Sequence, residues 1–178
     1  MEKIRRTGAA WLAPVLCLVM LAGCGLMGQQ HQRGPLDVKR VTYVEYSGDT
    51  PHVNVWVLTY DHKIKLYSVD PDGNMNYDYL SGELPPEDYY TESEYEMSEN
   101  DWTSIVNVLT RVNFMELVEE LPYPEGTCDA GSYYIMVDTS DAVHRSGGYN
   151  AGNEEGSDHQ RFSEAKGMVL NAIRNATH

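Results

Sequence analysis

The chain has 178 residues, enough for one ordinary domain, and its 27 acidic and 13 basic side chains give a net charge of −14. That balance argues against a nucleic-acid partner, which demands a basic patch, and against docking on anionic lipid headgroups by charge alone. Three cysteines are present, Cys17, Cys24 and Cys128, two of them within the first 24 residues.

The chain opens with Lys3, Arg5 and Arg6 against one acid, Glu2, and continues into the apolar run Ala9–Leu21. A basic start followed by a short apolar run has the shape of an export signal. The run is short of the roughly 20 residues that span a bilayer, and Pro14 interrupts its helix. It ends in Leu21-Ala22-Gly23-Cys24. These four residues resemble the lipobox of bacterial lipoproteins, with small residues before a cysteine whose thiol takes a diacylglyceryl group. The resemblance implies cleavage between Gly23 and Cys24, a lipid on Cys24, and a domain on the outer side of the membrane. Two acyl chains hold a protein on a bilayer where one does so only marginally. Residues 1–23 hold three of the 13 basic and one of the 27 acidic residues, so cleavage leaves 10 basic, 26 acidic and a net −16. With Cys24 lipidated, Cys128 has no intrachain partner for a disulfide.

Residues 24–37 contain three glycines and little periodicity, and read as a flexible tether of roughly 20 Å r.m.s. span. Residues 38–178 read as one domain. Val38–Tyr46, His52–Tyr60 and Lys63–Val69 alternate or carry the β-branched and aromatic residues of strands. Asp70-Pro-Asp-Gly73 is type I turn chemistry, and Asn74–Leu80 is expected as the fourth strand. Residues 81–101 carry Glu83, Glu87, Asp88, Glu92, Glu94, Glu96, Glu99 and Asp101 with no base, and read as an exposed loop.

Ser98 then caps a helix with Trp102, Ile105, Val106, Leu109 and Val112 on one face, broken near Asn113. Phe114, Leu117, Val118 and Leu121 continue the packing until Pro122. Gly131–Asp138 is a strand and Thr139–Ala142 a hairpin turn. Val143–Tyr149 returns, with a bulge expected at Gly147-Gly148. A last helix runs from about Gln160 to Ala176 on a stripe of Phe162, Ala165, Val169, Ala172 and Ile173. The expected fold is α+β: an antiparallel sheet, in sequence four strands, helix, two strands, helix, with both helices on one face. Phe114-Met-Glu-Leu, Ser132-Tyr-Tyr-Ile-Met-Val, Gly148-Tyr-Asn and the Phe162 helix resemble segments of uncharacterised small lipoproteins. That resemblance covers under half the chain and implies no activity.

No motif commits the chain to a chemistry or a cofactor. Asp70-Pro-Asp-Gly-Asn74 echoes a calcium loop, but Met75 stands where that loop needs glycine and Ser81 where it needs an acid. The acidic stretch offers carboxylates to a cation or a basic partner without ligand spacing. Cys128, with Asp129 beside it and His144 later, can be drawn as a nucleophile and base, though no signature surrounds it. His31, His52, His62, His144, His159 and His178 show no zinc spacing. Six tyrosines, Tyr43, Tyr46, Tyr60, Tyr67, Tyr77 and Tyr79, fall in the early strands, as sheet packing or as an aromatic recognition face. The functional readings are a membrane-tethered binding or interaction domain, a structural or assembly lipoprotein of the envelope, and, last, a hydrolase using Cys128 and His144.

Overall fold

A computed structural model describes residues 34–48, 52–70, 77–123 and 130–178. The elements are β1 (Val38–Tyr46), β2 (Val53–Thr59), β3 (Lys63–Val69), β4 (Tyr90–Glu96), α1 (Glu99–Arg111), β5 (Ser132–Thr139), β6 (Val143–Tyr149) and α2 (Ser157–Thr177). Short 3-10 turns occupy Glu87–Tyr89 and Phe114–Glu116. The strands form one six-stranded antiparallel sheet in the order β4-β3-β2-β1-β5-β6. The class and the sequence order of elements are those read from the sequence.

The period-2 alternation decides which side chains meet the helices. Val41 stands opposite both Leu58 and Val137, and Leu58 opposite Ile64, so all four share one face. Trp102, Ile105 and Leu109 of α1 and Phe162, Ala165, Val169, Ala172 and Ile173 of α2 close over that row. Burying a large side chain of this kind contributes roughly 1.5–3 kcal/mol. The Ser98 hydroxyl accepts the Asp101 N–H at 3.1 Å and donates to the Asp101 carboxylate at 2.6 Å, which fixes the start of α1. Asn113, left-handed at φ 48° and ψ 53°, ends it.

The other face has its own apolar layer. Val44, Val53, Val55, Val69 and Met136 are buried there with Tyr79 and Leu80. The covering segment belongs to the stretch expected to be the fourth strand. Its described part, residues 77–80, folds into turns instead, with Ser81 N–H donating to the Asp78 carbonyl at 3.0 Å and Gly82 N–H to the Tyr79 carbonyl at 3.3 Å. A strand would send the adjacent Tyr79 and Leu80 to opposite faces, whereas the turn buries both. The fourth strand is β4, inside the acidic stretch read as a loop.

Other boundaries shift for local reasons. Register across Gly147 and Gly148 is unbroken, so no bulge lies there. Gly147 is required by crowding: a Cβ would fall 2.6 Å from Tyr134 Cα and closer still to the Tyr133 carbonyl. The irregularity sits instead at Val38/Arg40. The end of the expected tether is fastened to the domain: Leu36 packs on the core, its N–H donating to Thr110 Oγ1 at 3.0 Å.

Candidate functional site

Several residues singled out by the sequence lie outside the described residues: Leu21, Ala22, Gly23 and Cys24 of the segment that resembles a lipobox, Asp72 and Asn74 of the turn, and Cys128 with Asp129. His144 is described. It sits on β6 with its ring edge-on to Phe114 at 5.9 Å, and its buried Nε2 has no hydrogen-bond partner among the described residues. Among those residues, no three His, Cys, Asp or Glu side chains converge as metal ligands, and no helix is long and apolar enough to cross a membrane.

The acidic stretch acquires a geometry. Glu83 anchors the covering turn by accepting the Asp78 N–H, and Asp101, in the first turn of α1, accepts from the hydroxyl of the Ser98 cap. Glu92, Glu94 and Glu96 lie on β4, facing the same side as Lys63 and Lys65 of β3. Lys63 Nζ meets Glu94 at 3.0 Å and Lys65 Nζ meets Glu92 at 2.7 Å, both across the diagonal of the ladder. Hydrogen bonding to Lys63, and then its charge, holds the Glu94 carboxyl below the ordinary carboxylate range. Reciprocally, Glu94 raises Lys63 and Glu92 raises Lys65. These groups are exposed, so water screens the pairs. Their value lies in fixing which strand adds to β3 and in which register.

Among the described residues, β4 is the last strand of the sheet and no strand pairs with its outer side. Met97 N–H donates to the His62 carbonyl and Asp70 N–H to the Tyr89 carbonyl, both at 2.8 Å. Backbone groups alternate along a strand, so the odd-numbered residues Thr91, Ser93 and Tyr95 bond β3. The N–H and C=O groups of Tyr90, Glu92, Glu94 and Glu96 therefore point away from the sheet. At the start of this edge is a cleft of about 210 Å³, lined by His52, Ser68, Val69, Asp70, Asp88, Tyr89, Tyr90 and Thr91.

The opposite edge is treated differently. Glu119–Leu121 runs beside β6, with Gly147 N–H donating to the Glu119 carbonyl at 3.1 Å and Leu121 N–H to the Gly147 carbonyl at 2.7 Å. His159, 3% exposed, holds this strap. Its Nδ1 accepts the Gly152 N–H at 3.2 Å, which leaves Nε2 to donate to the Pro122 carbonyl at 2.7 Å.

The tyrosines divide by face. Tyr43 is buried in the helix-side core, and desolvation drives its phenol far above the ordinary range. Tyr46, Tyr67, Tyr77 and Tyr79 pack in the second layer, with Tyr46 and Tyr79 at 6.2 Å and Tyr67 and Tyr90 at 5.6 Å. Burial pushes Tyr46 up to about 12. Only Tyr60 of the six is widely exposed, with Lys39 Nζ 5.7 Å from its ring centre. Of the six, Tyr43 and Tyr79 are buried, whereas Tyr46, Tyr67 and Tyr77 are half-buried in the second layer.

The sequence reading missed β4 and the His159 strap. The signal for β4 was present in the alternation of Glu92, Glu94 and Glu96 with Thr91, Ser93 and Tyr95, complementary to Lys63 and Lys65. His159 carried no local signal, because its partners lie 7 and 37 residues away. No protein-family model matches the chain, and no curated protein matches it.

Proposed function

We propose that this chain is an exported lipoprotein that holds an α+β interaction domain on the outer side of a bacterial membrane. The observation that carries the reading is Leu21-Ala22-Gly23-Cys24 at the end of a short apolar run behind a basic start. A diacylglyceryl group on Cys24 supplies the two chains that stable anchoring needs. The domain's acidity, a net −16 after cleavage, keeps it from lying flat on anionic headgroups. The interaction role is supported by a strand edge that no other strand covers among the described residues.

Cys24→Ala tests the anchor. The variant protein should accumulate unprocessed or leave the membrane fraction, and lose incorporated labelled palmitate. A variant that stays with the membrane at the mature mass removes the proposal. Affinity capture from envelope extract tests the interaction role, which fails if no partner is recovered reproducibly.

A further inference from the structure

Resting on the reading of this domain as an interaction module, we infer that the outer edge of β4 is its docking surface, and that it receives an extended, cationic segment of a partner as a seventh strand. Three observations carry this. First, the two edges of the sheet differ. Among the described residues, the chain covers part of β6 with its own Glu119–Leu121 strap, while no strand lies beyond β4. Second, β4 is well prepared to pair. Its register with β3 is continuous from Tyr90 to Glu96, without proline or bulge, and four residues turn outward backbone groups that have no partner among the described residues. Third, its charge is net acidic. Glu92, Glu94 and Glu96 line one side of the edge against two cations, Lys63 and Lys65, which pair Glu94 and Glu92 from the inner side, and Asp88 lines the cleft at its start.

The chemistry selects the partner. An added strand places alternate side chains beside Glu92, Glu94 and Glu96, and the others beside Thr91, Ser93 and Tyr95. Lysine or arginine at every second position matches the first set. Hydroxyl, β-branched or aromatic residues match the second. Strand addition takes its affinity from main-chain hydrogen bonds and its specificity from alternate side chains. A second copy of β4 is disfavoured, because it would bring glutamate against glutamate.

The test is calorimetric titration of the full chain with a synthetic peptide alternating lysine and threonine. Control peptides replace lysine by glutamate or carry N-methyl groups on alternate amides. The lysine peptide should bind, more weakly as salt rises. N-methylation should cost at least about tenfold in affinity, since it removes the outward hydrogen bonds while keeping the charge. The double variant Glu92→Pro/Glu94→Pro removes two outward N–H groups and the two carboxylates that pair Lys65 and Lys63, while the β4 backbone groups that bond β3, on the odd-numbered residues, are kept. It should bind at least about tenfold more weakly with an unchanged circular dichroism spectrum. Equal binding of the N-methylated or glutamate peptide, or no binding of the lysine peptide, overturns the inference. Should envelope capture recover the same partner with wild type and double variant alike, the edge is wrong and the interaction role stands. Should neither recover one, both fall.

Discussion

Arg161, in the first turns of α2, donates from Nε to the Val112 carbonyl at 2.6 Å, and its NH2 group donates to the Asn113 carbonyl at 2.7 Å. Those carbonyls end α1, where the backbone leaves acceptors without helical partners and the helix dipole is negative. Asp158 steadies the guanidinium at 3.0 Å from the preceding turn. One side chain thus closes the end of one helix and locks it to the next. Arg161→Met should lower stability by about 1.5–3 kcal/mol, the range for hydrogen bonds to a charged group. Arg161→Lys should recover only part of this, because an ammonium cannot reproduce the planar fork. Urea denaturation midpoints check both.

His159→Phe keeps the ring volume and removes both ring nitrogens. It should cost about 2–3 kcal/mol, because the Gly152 N–H and the Pro122 carbonyl lose their partner in a buried setting. The local signature is more specific than the loss of stability. Amide exchange at Gly147 and Leu121, whose hydrogen bonds tie the strap to β6, should speed up more than exchange in β2.

Two glycine-to-alanine changes should move stability in opposite directions. Gly147→Ala drives a methyl into the Tyr133–Tyr134 backbone, which cannot yield without breaking the β5–β6 ladder. A loss above about 3 kcal/mol is expected, as for severe overpacking. Gly167 lies within α2, with nothing within 4 Å of a built Cβ. Gly167→Ala should therefore stabilise by about 0.5–1 kcal/mol through helix propensity and reduced unfolded-state entropy. Thermal melts of the two variants on either side of the parent check the pair.

The Glu94 carboxyl should titrate below its ordinary range, and Lys63→Met should return it upward, as read by side-chain carbon shifts in NMR. The sign for stability follows from the direction. A depressed folded-state value contributes above the unfolded carboxylate value and is lost as pH falls through the folded one. The raised Lys63 contributes below the unfolded lysine value and is lost as pH rises through its folded one. Both effects should shrink in high salt, as expected of exposed pairs.

Elements whose periodicity is set by a single neighbour were legible in the sequence. The Ile64/Leu66 alternation, the Ser98 cap and the Phe162–Ile173 stripe each declare a face or an end within a few residues. The fourth strand was not legible in the same way. Tyr77–Leu80 carries more apolar character than β4, but a three-dimensional contest decides between them. Lys63 and Lys65 recruit Glu92 and Glu94, while the second apolar face needs Tyr79 and Leu80 as a cover. Gly147 was read as a bulge because a glycine in a strand has two common causes, and only the position of Tyr134 separates them. The resemblance of Leu21–Cys24 to a lipobox is wholly a matter of sequence, because those residues lie outside the described ones.

The attachment of Leu36 to Thr110 and the central place of β1 have a mechanical consequence. A pull on residue 34 enters the sheet along β1, a strand laddered on both sides by β2 and β5. If the opposing load acts at β4, it must cross the β1–β2, β2–β3 and β3–β4 ladders in shear, with many hydrogen bonds sharing the force at once rather than opening one by one. Were the domain anchored through residue 34 and loaded along β4, these ladders would resist its unfolding under tension.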